Sequence, residues 1–199
     1  MTAEPAAAEP PLARTAESRL PGFLHRFVTP EAVYGLVLYA AVVAAASDEA
    51  EGADAEPATL VLNDSSVVIP EASGVLIWVI LSMIVFWGAH VFAHSVAGHG
   101  VRDGKPVRVK DAVGQAFHHS AGMLYATILP TIALLLGAFG VLSDDVAIEA
   151  ALWVSVGVLG LLGFLAFVAK RSSWYISILG GLATAVLGLL IILINAVMH

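Results

Sequence analysis

Polar positions in this chain are crowded into short stretches, and between them run apolar segments of helical length with almost no charge. Crossing about 30 Å of hydrocarbon takes about 20 consecutive apolar residues in an α-helix. Runs at 74–97, 120–142, 147–169 and 174–198 meet that length, and a shorter one at 31–47 makes a fifth. The pattern predicts an all-α polytopic membrane bundle of five transmembrane helices. Thr29 stands ready to cap the first helix, with Pro30 at its opening position. Gly35 and an Ala-rich end suit a helix held inside the bundle rather than against lipid. Small residues recur at helical spacing in the last two spans, Gly157, Gly160 and Gly163 in one and Ser177, Gly181, Thr184 and Gly188 in the other, which predicts close packing there. Pro130 predicts a kink in the third span. Trp78, Trp87, Trp153, Trp174 and Tyr175 are available as interfacial anchors.

The connecting segments carry weaker signals. Residues 1–19, rich in Ala, Pro and Glu, have too few large apolar side chains to offset the entropy of ordering and are expected to be a disordered cytoplasmic tail. They lack the positive start and immediate apolar core of a cleavable signal. Residues 20–28, with Phe23, Leu24 and Phe27 beside Arg26, are expected to lie along the inner membrane surface or to serve as a linker into the 20–199 membrane domain. Residues 59–69 place β-formers around an Asn-Asp-Ser turn, and 101–111 alternate Val with basic residues around Asp103-Gly104, so each predicts a short hairpin. Asp111 is then expected to cap a helix that runs on into the third span.

Composition supports the same class. The chain has 199 residues, 59% hydrophobic and only 13% charged, so it forms one domain for which a bilayer is the natural solvent. Cysteine is absent, which excludes disulfides, thiolate metal sites and a cysteine nucleophile. The net charge of −7 says less than the positions of the charges. All nine Lys and Arg fall in the N-terminal tail (Arg14, Arg19, Arg26), the 98–119 loop (Arg102, Lys105, Arg108, Lys110) or the fourth connection (Lys170, Arg171). The intervening loops, 48–73 and 143–149, hold ten carboxylates and no Lys or Arg. Cationic loops are retained in the cytoplasm, so the alternation predicts N-in, C-out threading. The excess of Arg over Lys and the abundance of Ala suit a GC-rich bacterial genome, and hence a bacterial plasma membrane. No phosphate-binding loop, nucleophile elbow or dinucleotide fingerprint occurs, and the loops are unsuited to nucleic acid.

Five of the seven histidines converge on one level of this bundle. His90 and His94 share a helix face one turn apart near the inner end of the second span, with His99 just beyond. His118 and His119 open the third span at a similar depth, and because they point about 100° apart, at most one of them faces the pair. Glu31 enters the same layer from the first span. Imidazole and carboxylate donors of this kind suit a divalent metal such as zinc, iron(II) or manganese(II), so the candidate ligands are His90, His94, His119 and Glu31. Tyr34, Tyr125, Met83 and Met123 are possible neighbours. Each residue also has an ordinary structural reading. Interfacial histidines bond headgroups or neighbouring helices, and a carboxylate favours the first turn of any helix.

The Glu31-Ala-Val-Tyr34-Gly35 start, the Phe86-Trp87-Gly-Ala-His90 segment and the closing Trp174–His199 pattern resemble small multi-pass bacterial membrane proteins of unassigned activity, over most of 29–199. The architecture is more remotely similar to the vacuolar iron transporter family, dimeric exporters of iron(II) or manganese(II). That resemblance implies five helices, N-in and C-out, with metal ligands near the connection of the second and third spans, and a homo-oligomer. The family's first span carries an Asp, whereas 32–46 here has no acidic residue, and its second span has Glu where this chain has His90 or His94. The resemblance therefore implies topology rather than a ligand set.

Three functional readings follow. The first is transport or binding of a divalent metal through the histidine layer, with no enzymatic activity. The second is a non-catalytic membrane scaffold or accessory subunit. The third is a histidine-metal membrane oxidoreductase, although diiron enzymes of that type use about eight histidines in several boxes. Because the native chain has no cysteine, Ala55→Cys and Val107→Cys each introduce a unique label. An impermeant thiol reagent added to intact cells should modify the first and leave the second untouched. Modification of both from outside would overturn the five-span threading.

Overall fold

The computed structural model describes residues 28–52, 59–62, 65–68, 71–102 and 105–198; the expectations for 1–19 and 20–27 fall outside them. Five helices make the body: α1 (Pro30–Gly52), α2 (Glu71–Gly98), α3 (Val109–Ala138), α4 (Asp144–Ala169) and α5 (Trp174–Met198). Each is long and apolar enough to cross a membrane. Two antiparallel hairpins lie between them, β1 (Thr59–Leu62) with β2 (Ser65–Val68), and β3 (Gly100–Arg102) with β4 (Lys105–Val107). The starts of α1, α3 and α5 and the ends of α2 and α4 share one face of the bundle, together with the β3–β4 hairpin.

Local chemistry accounts for the helix boundaries. The Ala32 N–H donates to Thr29 Oγ1 at 3.2 Å, so Thr29 caps α1 with Pro30 at its first position. The first N–H of α2 is capped from another helix, since Glu71 N–H donates to Asp144 Oδ2 at 3.1 Å. That carboxylate sits in the first turn of α4, so one anion serves the positive ends of two helices. Asp111 does not cap α3. The capping position is Arg108, without a side-chain bond, and Asp111 lies in the first turn at 3.6 Å from the Arg108 guanidinium. Both groups are exposed, so the pair adds little stability.

Helix α3 passes through Pro130, which is buried. Thr127 and Thr131, on either side, return their hydroxyls to Leu124 O at 2.9 Å and Thr127 O at 2.7 Å. It ends at Ala138, four residues before the expected 142, because Gly140 takes a left-handed turn (φ 70°) and the N–H groups of Val141 and Leu142 fold back onto Leu136 O. Helices α4 and α5 are joined by a tight reversal at Arg171 (φ 56°), which makes them antiparallel neighbours.

Small residues set the distances between helices. A Cβ on Gly35 would stand 2.9 Å from Met123 Cα and 2.8 Å from Met123 O, so α1 and α3 touch at their backbones. Between α4 and α5, a Cβ on Gly181 would stand 2.8 Å from Gly160 O, and the Thr184 hydroxyl lies 2.9 Å from Leu159 O. The shared core is built from Leu36, Tyr39, Val43, Met123, Leu134 and Leu159, all essentially sealed. Half of the α1 span is buried, against 17% of the α5 span, and α1 packs on all four other helices. It is the central helix. The outer faces of α2 and α5 present Ile77, Trp78, Val85, Phe92, Leu179, Leu182 and Leu193 to the surroundings, an apolar surface that a bilayer solvates and water does not.

The Gly35 contact yields a stability test. Overpacking against backbone costs about 1–3 kcal/mol, so Gly35→Ala should lower the unfolding midpoint in detergent. Gly74→Ala, whose Cβ would meet nothing within 4 Å, should leave it unchanged or slightly raised.

Candidate metal centre

The approach of α1 to α3 determines where the only carboxylate of the α1 membrane span points. Glu31 lies one helical turn before Gly35, and His119 one turn before Met123, so the backbone contact at Gly35 brings Glu31 and His119 side by side. Glu31 Oε1 is 2.7 Å from His119 Nε2. The Glu31 side chain is more than nine-tenths buried, and its second oxygen, Oε2, has no hydrogen-bond partner among the described residues. A buried polar oxygen left unpaired costs about 1–3 kcal/mol, and more when it carries charge. It is therefore a position where a cation or proton donor gains most.

Helix α2 supplies the rest of the cluster. His90 and His94 are one turn apart on the face toward α3, with their Nε2 atoms 3.1 Å apart. The His94 ring also meets the His119 ring edge-on, with centroids 4.8 Å apart. Donor atoms of Glu31, His94 and His119 all fall within 4.8 Å of one another. Ligand atoms about an ion with bonds near 2.0–2.2 Å stand about 3–3.5 Å apart, so closing these three on one ion takes side-chain movement of about an ångström. His90 reaches the group through His94 and is backed by Tyr34, whose ring stacks on it at 6.1 Å.

All four residues singled out from the sequence, Glu31, His90, His94 and His119, thus meet at the junction of α1, α2 and α3. His118 points elsewhere, into a lateral groove with Trp87 and Tyr125. Met123 is spent on the Gly35 contact, and Met83 lies in the apolar core. Two residues absent from the expected set line a cavity of 550 Å³ together with His94 and His119, namely His99 and Gln115. His99 carried a signal, five residues after His94, but no helix periodicity reaches it, because α2 ends at Gly98. Gln115 precedes His119 by one turn of α3, a relation that means something only once His119 is known to face the cluster.

Ser120 is a second buried anomaly. Ser95, Ser155 and Ser177 return their hydroxyls to the carbonyl four residues back, as helical serines do in apolar surroundings. The Ser120 Oγ is fully buried, beside His119 in sequence, and has no partner among the described residues. No family model matches this chain, and no curated protein or solved structure is found to be similar to it.

Proposed function

We propose that this protein binds a divalent transition-metal ion through Glu31, His94 and His119, with His90 as the adjoining imidazole, and moves that ion into or across the membrane. The observation that carries the reading is the unpartnered Oε2 of a buried Glu31, whose other oxygen meets the His119 imidazole at 2.7 Å and which has a donor nitrogen of His94 within 4.8 Å. Ionisable groups inside a membrane bundle are costly and persist where they pair or handle ions. A nitrogen-rich set with one carboxylate favours zinc, iron(II) or manganese(II) over calcium or magnesium. The confinement of Lys and Arg to alternate loops supports a cytoplasmic position for the cluster, where a cation would be received from the cell interior.

A second reading rests on the same 2.7 Å contact. An imidazole–carboxylate pair between α1 and α3 can serve as a structural clamp in a non-catalytic scaffold. The two readings part on metal content. Protein purified in mild detergent and equilibrated with zinc or manganese should hold about one ion per chain by elemental analysis. His90→Ala with His94→Ala should remove it. Unchanged metal content in that double variant, or none in the native chain, would reject the metal reading in favour of the clamp.

Acidity gives an independent check. Imidazole nitrogens ligate only when neutral, and the side chain takes up a proton around pH 6.5 in water. Protons therefore compete with the ion from below that value. Retained metal should be maximal above about pH 7 and be released progressively on acidification, as read by equilibrium dialysis. Retention independent of pH between 7 and 5 would count against imidazole ligation.

A further inference from the structure

The 550 Å³ cavity between the end of α2 and the start of α3 has one wall made of His94 and His119, two members of the cluster. Its remaining lining includes Ala97, His99, Gln115 and Ala116. His99 is exposed, and the chain turns sharply after it, because Gly100 adopts φ 115°, a conformation open to glycine. That turn starts β3, so His99 stands at the cavity between the helix end and the hairpin.

The other side of the cluster is closed. Leu36, Tyr39 and Met123 follow within two turns, each no more than 1% exposed, and the backbone contact at Gly35 leaves no gap between α1 and α3. Access to the cluster is therefore from the end bearing the β3–β4 hairpin, where this cavity and a more open groove lined by Lys110, Asp111, Gln115 and His118 both reach the half-exposed His119; the cavity is the one that reaches His94 as well.

We propose that the cavity is the loading vestibule of the metal cluster and that His99 is a transient ligand, which takes a hydrated divalent cation at the mouth and hands it to His94 and His119. The inference rests on the metal-binding reading above and adds to it a direction of access and a residue outside the final ligand set. The chemistry is ligand exchange alone: one bound water leaves as the His99 imidazole coordinates, and His99 leaves in turn as His94 binds. A group that ligates only on the way lowers the barrier for arrival and departure alike, so it changes rates and leaves the equilibrium constant where it was. A member of the final set does the opposite and changes affinity.

Cobalt(II) is the probe, because coordination by imidazole and carboxylate develops visible absorption that stopped-flow mixing follows directly. The full chain is used in mild detergent micelles, comparing native protein, His99→Ala and Ala97→Phe. Ala97 is exposed, so a bulky ring there obstructs the cavity without entering the core. Losing one productive step of the approach is taken as a change of about 10-fold in rate, equivalent to about 1.36 kcal/mol of barrier. His99→Ala should therefore slow association and dissociation together by roughly that factor, with the dissociation constant unchanged. Ala97→Phe should slow both in the same way. Cobalt binding at native rates in both variants would overturn the vestibule while leaving the metal cluster standing. A weakened affinity with native association rate in His99→Ala would also overturn it, making His99 part of the final set. No cobalt binding by the native chain would remove both proposals at once.

Discussion

Gly35 has no side chain, and the space where one would stand belongs to the backbone of Met123. This contact holds the central helix at backbone distance from α3, and most of what is unusual about the bundle follows from it. Helices in lipid gain nothing from hydrophobic exclusion between themselves, so close van der Waals approach through small residues is what holds them together. Here it also has an electrostatic consequence. One turn away from Gly35 the same approach presses Glu31 against His119, and α2 closes the group with His90 and His94.

A carboxylate in that position is expensive. Burial removes its water, and a single imidazole occupies only one of its two oxygens. The bundle tolerates such a group if something else arrives to satisfy it, or if its specificity outweighs the loss. A divalent cation answers the first condition well, because its charge interacts most strongly where the surrounding dielectric is low. The imidazoles of His90 and His119 meet the His94 ring edge-on, with centroids 4.5 and 4.8 Å away. The unpaired and fully buried Ser120 hydroxyl lies in the same stretch of α3.

The bundle is asymmetric along its axis. At the end bearing the β3–β4 hairpin, α2 and α3 leave a cavity lined in part by His94, His99, Gln115 and His119, whereas beyond the cluster the core seals through Leu36, Tyr39 and Met123. The opposite end is tied by a carboxylate shared between α2 and α4. Around this body, α2 and α5 offer broad apolar faces to lipid, while the glycine and threonine contacts between α4 and α5 make that pair a firm backing for α1.

Helix number and type were readable in the chain because hydropathy is a property of contiguous residues: a run of apolar side chains long enough to cross a bilayer needs no knowledge of its neighbours to be recognised. The Thr29-Pro30 helix start and the separation of Lys and Arg from the carboxylates were legible for the same reason. The early end of α3 at Gly140 and the failure of Asp111 to cap were not, since both depend on backbone geometry at a single residue. The membership of the cluster lay between these cases. Periodicity placed His90 and His94 on one face and separated His118 from His119 by about 100°, but it could not say which of the latter faced inward. That choice depends on the rotation of α3 about its own axis relative to α1, which the contact between Gly35 and Met123 sets. Only the tertiary structure brought His99 and Gln115 to the cavity, because their neighbours there come from different helices.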